Sequence, residues 1–157
     1  MLLLWLLPLL LQPSRGQDLN IALHAQAPPT PGGYVVGSVM TTNGLKRALL
    51  RMGRVRHARS FYPFHYHDLN NATWDLLIIE GWFESSAAVI HEFRRHSPSI
   101  LVFYWCLDPL FPGLNSIASL DVDGYLTNSR AVSEKLSHFA PSAFVPLAAD
   151  VEEMETL

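Results

Sequence analysis

The side chains able to do chemistry stand at or just beyond the ends of short apolar runs. His24 lies near the end of residues 19–25 (LNIALHA), Glu80 closes residues 75–80 (DLLIIE), and Asp108 follows residues 100–105 (ILVFYW). Gly32 and Gly33 precede a long amphipathic stretch. Glycines there let backbone N–H groups approach a ligand closely, and a helix N-terminus favours phosphate. Their spacing, GGYVVG, is not G-x-G-x-x-G, and a plain loop-to-helix turn accounts for them equally well. Asp121-Val122-Asp123 has the spacing of carboxylates that hold a divalent metal against a diphosphate. That motif normally follows an apolar strand, whereas here a short helix (NSIASL) precedes it and the strand comes afterwards. His65-Tyr66-His67 would point two imidazoles the same way on a strand. With only Asp68 nearby as a third ligand, the segment reads as a loop with surface histidines. No metal or cofactor is expected.

The elements that must position these groups follow from periodicity. Residues 19–25 read as a buried strand and residues 34–52 as a helix, with Val35, Val36, Val39, Leu45, Leu49 and Met52 near a 3.6-residue period. Residues 55–62 form a weaker strand, 63–73 a loop, and 75–80 the clearest strand in the chain. A helix is expected over 85–96, capped by Ser85 or Ser86, then a strand over 100–105. A short helix over 114–120, a strand over 124–127, a helix over 129–139 capped by Asn128 or Ser129, and a strand over 143–147 complete the pattern. The strand runs are apolar throughout rather than alternating, so helices should cover both sheet faces. This predicts an α/β fold with a doubly wound, mainly parallel, Rossmann-like sheet. In such a sheet, ligands bind beyond the carboxyl ends of the strands, where the residues named above fall.

The chain has 157 residues, 49% hydrophobic and 16% charged, which excludes a disordered chain and fits about one domain. Residues 2–11 are apolar, broken only by Pro8, and no charged side chain precedes Arg15. The run is too short to span a bilayer, which needs about 20 residues, but suits the core of a secretory signal. Ser14 and Gly16 supply small residues before a cut ahead of Gln17. The expected organisation is a signal peptide over 1–16 and one domain over 17–157, secreted or in the lumen of the secretory pathway. No later run is long enough to cross a membrane. A net charge of −3 argues against nucleic-acid binding. The basic residues between Lys46 and Arg59 read as a solvated face that begins near a helix end. One cysteine, Cys106, allows no internal disulfide and reads as a buried thiol. Asn71-Ala72-Thr73 is an N-glycosylation sequon.

Several segments together resemble one family. GGYVVGSVMTTNGLKRALLRMG is similar to the Gly-Gly loop, first helix and closing L-x-x-x-G of the N-terminal domains of GT-B glycosyltransferases. WDLLIIEGW resembles their third strand, and ILVFYWCLDP their fourth, which often ends in a His-Asp or Asp-Pro pair. DVDGYLTNSRAVSEKL followed by FVPLAAD resembles the segment that closes the N-terminal half, with Ala148-Ala149 where the family often has a glycine before its Asp. The likeness spans roughly residues 18–150 and is nearest to the spore-protein-like group, of the family 1 or family 4 type.

The resemblance implies an acceptor-side half-domain of an enzyme that moves a sugar from a nucleotide donor to a hydroxyl acceptor on a glycan or other molecule. It implies His24 as general base, Asp108 orienting that histidine or touching the acceptor, Glu80 as a second carboxylate, and Gly32 and Gly33 at the donor phosphates. A GT-B enzyme also has a second α/β domain that makes most donor contacts, and 157 residues hold only one such unit. The expectation is a half-enzyme that lacks the C-terminal donor domain, requires a separate partner domain, and is weak or inactive alone. The competing expectation is a secreted, non-catalytic module that binds a carbohydrate or a protein through the same strand-end cleft.

Overall fold

The computed structural model describes residues 18–25, 37–62, 69, 72–80, 86–106 and 113–145, with the backbone alone for 37–40. Runs that are apolar at successive positions become the central strands, buried on both sides, and two more polar or shorter runs become the partly exposed edge strands. These are β1 (Leu19–His24), β2 (Val55–Phe61), β3 (Leu76–Glu80), β4 (Leu101–Cys106), β5 (Gly124–Thr127) and β6 (Ser142–Phe144). The segments with helical periodicity between them become α1 (Gly37–Leu50), α2 (Ser86–His96), α3 (Leu114–Ala118) and α4 (Arg130–Leu136).

The six strands form one sheet in the order β2-β1-β3-β4-β5-β6, and every pairing is parallel. The doubly wound α/β class expected from the apolar runs is therefore the observed one. Side-chain alternation sorts the core into two layers. Ile21, Leu23, Leu76, Ile78, Phe103 and Trp105 share one layer with Leu49 of α1. Ala22, Leu77, Ile79, Val102 and Tyr104 share the other with Phe93 of α2, Ile117 of α3 and Leu136 of α4. Phe61 ties the edge strand β2 to this second layer through edge-on contacts with Trp74 and Phe93, at 5.1 and 5.3 Å between ring centres.

The amino edge of the sheet is closed by carboxylates. Asp75 accepts the Asn20 backbone N–H at 2.9 Å, and Asp123 accepts that of Val102 at 2.7 Å. Arg94 of α2 bridges Asp121 and Asp123, each at 3.2 Å. The Asp121-Val122-Asp123 segment thus joins a helix to the start of a strand, on the edge opposite His24 and Glu80. Arg51, Arg56 and Arg59 are exposed along the α1–β2 side. Among the described residues no helix is long and apolar enough to cross a membrane.

Boundaries differ from expectation where local hydrogen bonding decides them. The helix expected to reach Phe139 stops at Leu136 because Phe139 N–H turns back to the Leu136 carbonyl, a tighter spacing than the α-helix allows. Ser129 caps its start, accepting from Val132 N–H, in preference to Asn128. β4 runs one residue later than its apolar run suggests, ending on Cys106, because Ile100 N–H bonds back to Ser97 and stays outside the ladder.

Gly124 opens β5 where β4 and the chain before β6 crowd it. A Cβ there would stand 2.6 Å from the Phe103 ring and 3.0 Å from the Pro141 carbonyl. Gly124→Ala is expected to destabilise the fold by about 1–3 kcal/mol, as overpacking does. The urea midpoint should fall, and an unchanged midpoint would contradict the packing described.

Candidate active site at the carboxyl edge

The chain steps from β1 to β2 on one side and then crosses to β3 on the other, so the strand order reverses between β1 and β3. In open α/β sheets the crevice at that switch point, outside the carboxyl ends, is where ligands bind. His24 is the last residue of β1 and Glu80 the last of β3. The register pairs His24 with Ile79, one residue before Glu80. The structure thus brings two of the sequence-derived site residues to the two strand ends that flank the switch.

It does not aim them together. His24 continues the Ala22 face, covered by α2, while Glu80 continues the Leu76–Ile78 face, covered by α1. Strand alternation therefore sends the imidazole and the carboxylate to opposite sides of the sheet. They are neighbours in the edge rather than a hydrogen-bonded dyad.

His24 is fully buried, and desolvation lowers its pKa from 6.5 to about 4. It is neutral near pH 7 and so able to accept a proton, but it is a weak base. Glu80 is 2% exposed, and desolvation raises its pKa from 4.5 to about 7, a shift that the Thr42 hydrogen bond partly opposes. A general acid–base group works best with a pKa near the operating pH. By that measure Glu80, rather than His24, is the group tuned for proton transfer, which reverses the ranking implied by the family resemblance.

Thr42 of α1 holds this carboxylate, donating its hydroxyl hydrogen to Oε2 of Glu80. Sequence reasoning missed Thr42. The signal was its place on the buried stripe of α1, in line with Leu45 and Leu49, where a polar side chain needs a partner. The other carboxylate oxygen, Oε1, is buried and accepts no hydrogen bond. Trp105, paired in register with Glu80 across β3 and β4, has its indole N–H buried and equally unmatched. A buried polar group left this way costs about 1–3 kcal/mol.

Asp108, Gly32, Gly33 and Asn71 lie outside the described residues, as does His65-Tyr66-His67. Cys106 is buried at the end of β4. Among the described residues no three His, Cys, Asp or Glu side chains come together as a metal set. Compared with known proteins, the chain matches no family model, no curated protein and no solved structure.

The two shifted groups act on stability in opposite directions. His24 stays neutral in the fold down to about pH 4 while the unfolded chain takes up its proton near 6.5, so stability falls as pH falls through that window. Glu80 keeps its proton in the fold up to about pH 7 while the unfolded chain loses it near 4.5, so stability falls as pH rises through that window. The slopes oppose each other where the windows overlap. Glu80→Gln removes one of them, and its stability relative to the parent is expected to climb by roughly 3 kcal/mol from pH 4 to above pH 7. Denaturant titrations across that range measure this, and parallel curves for variant and parent would contradict the burial of an ionisable Glu80.

Proposed function

We propose that the chain is the acceptor-side half-domain of a glycosyltransferase of the GT-B type, which needs a donor-binding domain for full activity and is weak or inactive without one. The observation that supports this reading best is the placement of a carboxyl group tuned to about pH 7 beside the switch-point crevice of a parallel sheet. Transfer to a hydroxyl acceptor needs a base that takes the hydroxyl proton as its oxygen bonds to the anomeric carbon and the nucleoside diphosphate leaves. Glu80, ionised, is suited to take that proton. His24, neutral at the same edge, is the second candidate, and Asp108, Gly32 and Gly33 keep the roles of acceptor contact and donor-phosphate contacts. In this reading residues 1–16 act as a signal peptide and Asn71 as a glycosylation site, which would put the domain in the secretory lumen or outside the cell.

Calorimetry with nucleoside diphosphate sugars against free glycans tests the proposal. The isolated chain is expected to give a measurable heat with a nucleotide sugar and no turnover in a transfer or donor-hydrolysis assay. Glycan binding with no nucleotide-sugar binding would reassign the domain as a non-catalytic carbohydrate-binding module. Clear turnover by the isolated chain, abolished by His24→Ala, would overturn both its dependence on a second domain and the assignment of the base to Glu80.

A further inference from the structure

Two buried and unmatched polar atoms, one an acceptor and one a donor, belong to side chains at paired positions near the carboxyl edge. Glu80 and Trp105 occupy paired positions on adjacent parallel strands, so both side chains leave the sheet on the same face. That face is the one covered by α1. Phe103 and Trp105 belong to its layer, and Thr42 of α1 reaches Glu80 across it. The carboxylate is fixed by its bond from Thr42 at Oε2, which leaves Oε1 as an acceptor with no donor. The indole N–H of Trp105 is a donor with no acceptor. Trp74 Nε1, Ser60 Oγ and Ser86 Oγ are also buried and unmatched, but none has a complementary unmatched atom at its paired position in the sheet.

We infer that Glu80, Trp105 and Thr42 form a subsite for one hydroxyl of a neutral polyol or sugar. A hydroxyl is the group that satisfies both atoms at once, donating its hydrogen to Glu80 Oε1 and accepting from Trp105 Nε1–H. A carboxylate or phosphate ligand would set negative charge against Glu80, and a cation would leave the indole N–H unmatched. Glu80 ends its strand and Trp105 is one residue from the end of its own, so both side chains border the carboxyl edge, from which a ligand hydroxyl would have to enter to reach these buried atoms. The subsite goes beyond the transfer reaction, because a hydroxyl seated there is bound whether or not a nucleotide donor is.

Nitrogen-15 spectra of the indole N–H groups test the inference on the full chain. The sequence has four tryptophans, and the signal missing from Trp105→Phe identifies Trp105, the ring packing being retained in that variant. Titration with methyl glucoside in the millimolar range is expected to shift the Trp105 signal saturably, while sodium acetate leaves it in place. At pH 8, where Glu80 is mostly ionised, Glu80→Gln should weaken the affinity by about tenfold, as loss of a hydrogen bond to a charged acceptor does. Trp105→Phe, followed by calorimetry with the same sugar, gives the equivalent reading if the glutamine variant folds poorly. A Trp105 signal unmoved by the sugar would overturn the inference, whether the indole bonds directly to Glu80 or to a buried water. So would a calorimetric affinity for the sugar that both variants leave unchanged. A failure of nucleotide-sugar binding touches the transferase reading alone.

Discussion

A parallel sheet covered on both faces has no place for an unmatched polar side chain except at its two edges, and that constraint arranges this molecule. In β1, β3 and β4 the residues between the strand termini are mostly apolar, because the strands run between two helical layers. Polar groups therefore accumulate at the strand ends. At the amino edge Asp75 and Asp123 accept backbone N–H groups and Arg94 bridges the acidic turn before β5, while Asn20 Oδ1 is buried without a partner. At the carboxyl edge Glu80 Oε1 and Trp105 Nε1 are buried without partners at paired positions on adjacent strands.

How strongly Glu80 is constrained depends on α1. Burial alone pushes the carboxyl group toward its neutral form, and the Thr42 hydroxyl pulls it back toward the ionised one. The balance leaves the group near pH 7. For His24 desolvation acts the other way, since burial moves an imidazole away from its charged form. Two titratable groups at adjacent strand ends are thus driven apart from their ordinary values in opposite senses, one up and one down. Such separation is what acid–base sites require, although here the sheet lies between the two side chains.

Much of this was legible in the sequence. Continuous apolar runs such as LLII, flanked by helical periodicity, sufficed for the parallel sheet, and the rule that ligands gather at carboxyl ends pointed to His24 and Glu80. β5 was read to the residue because Gly124 and Thr127 bound a short apolar run with turns on both sides. What could not be read were contacts that depend on the rotation of one element over another. Thr42 meets Glu80 across 38 positions of sequence, and nothing local marks the pair. The opposite facing of His24 and Glu80 needed the exact pairing of β1 with β3, since a shift of one residue would have placed them on the same side. The order of elements around Asp121-Val122-Asp123 already argued against a metal site, but its partner Arg94, 27 and 29 positions away, was not legible from local sequence.

The account turns on one property, a Glu80 carboxyl group buried at the switch point and held near neutrality. A carbon-13 titration of the Glu80 side chain, assigned with Glu80→Gln, measures it directly. The expected midpoint is about 7, moving higher in Thr42→Val as the hydroxyl that favours the ionised form is removed. A midpoint near 4.5, indifferent to Thr42, would mean an ordinary solvated carboxylate and would contradict the account.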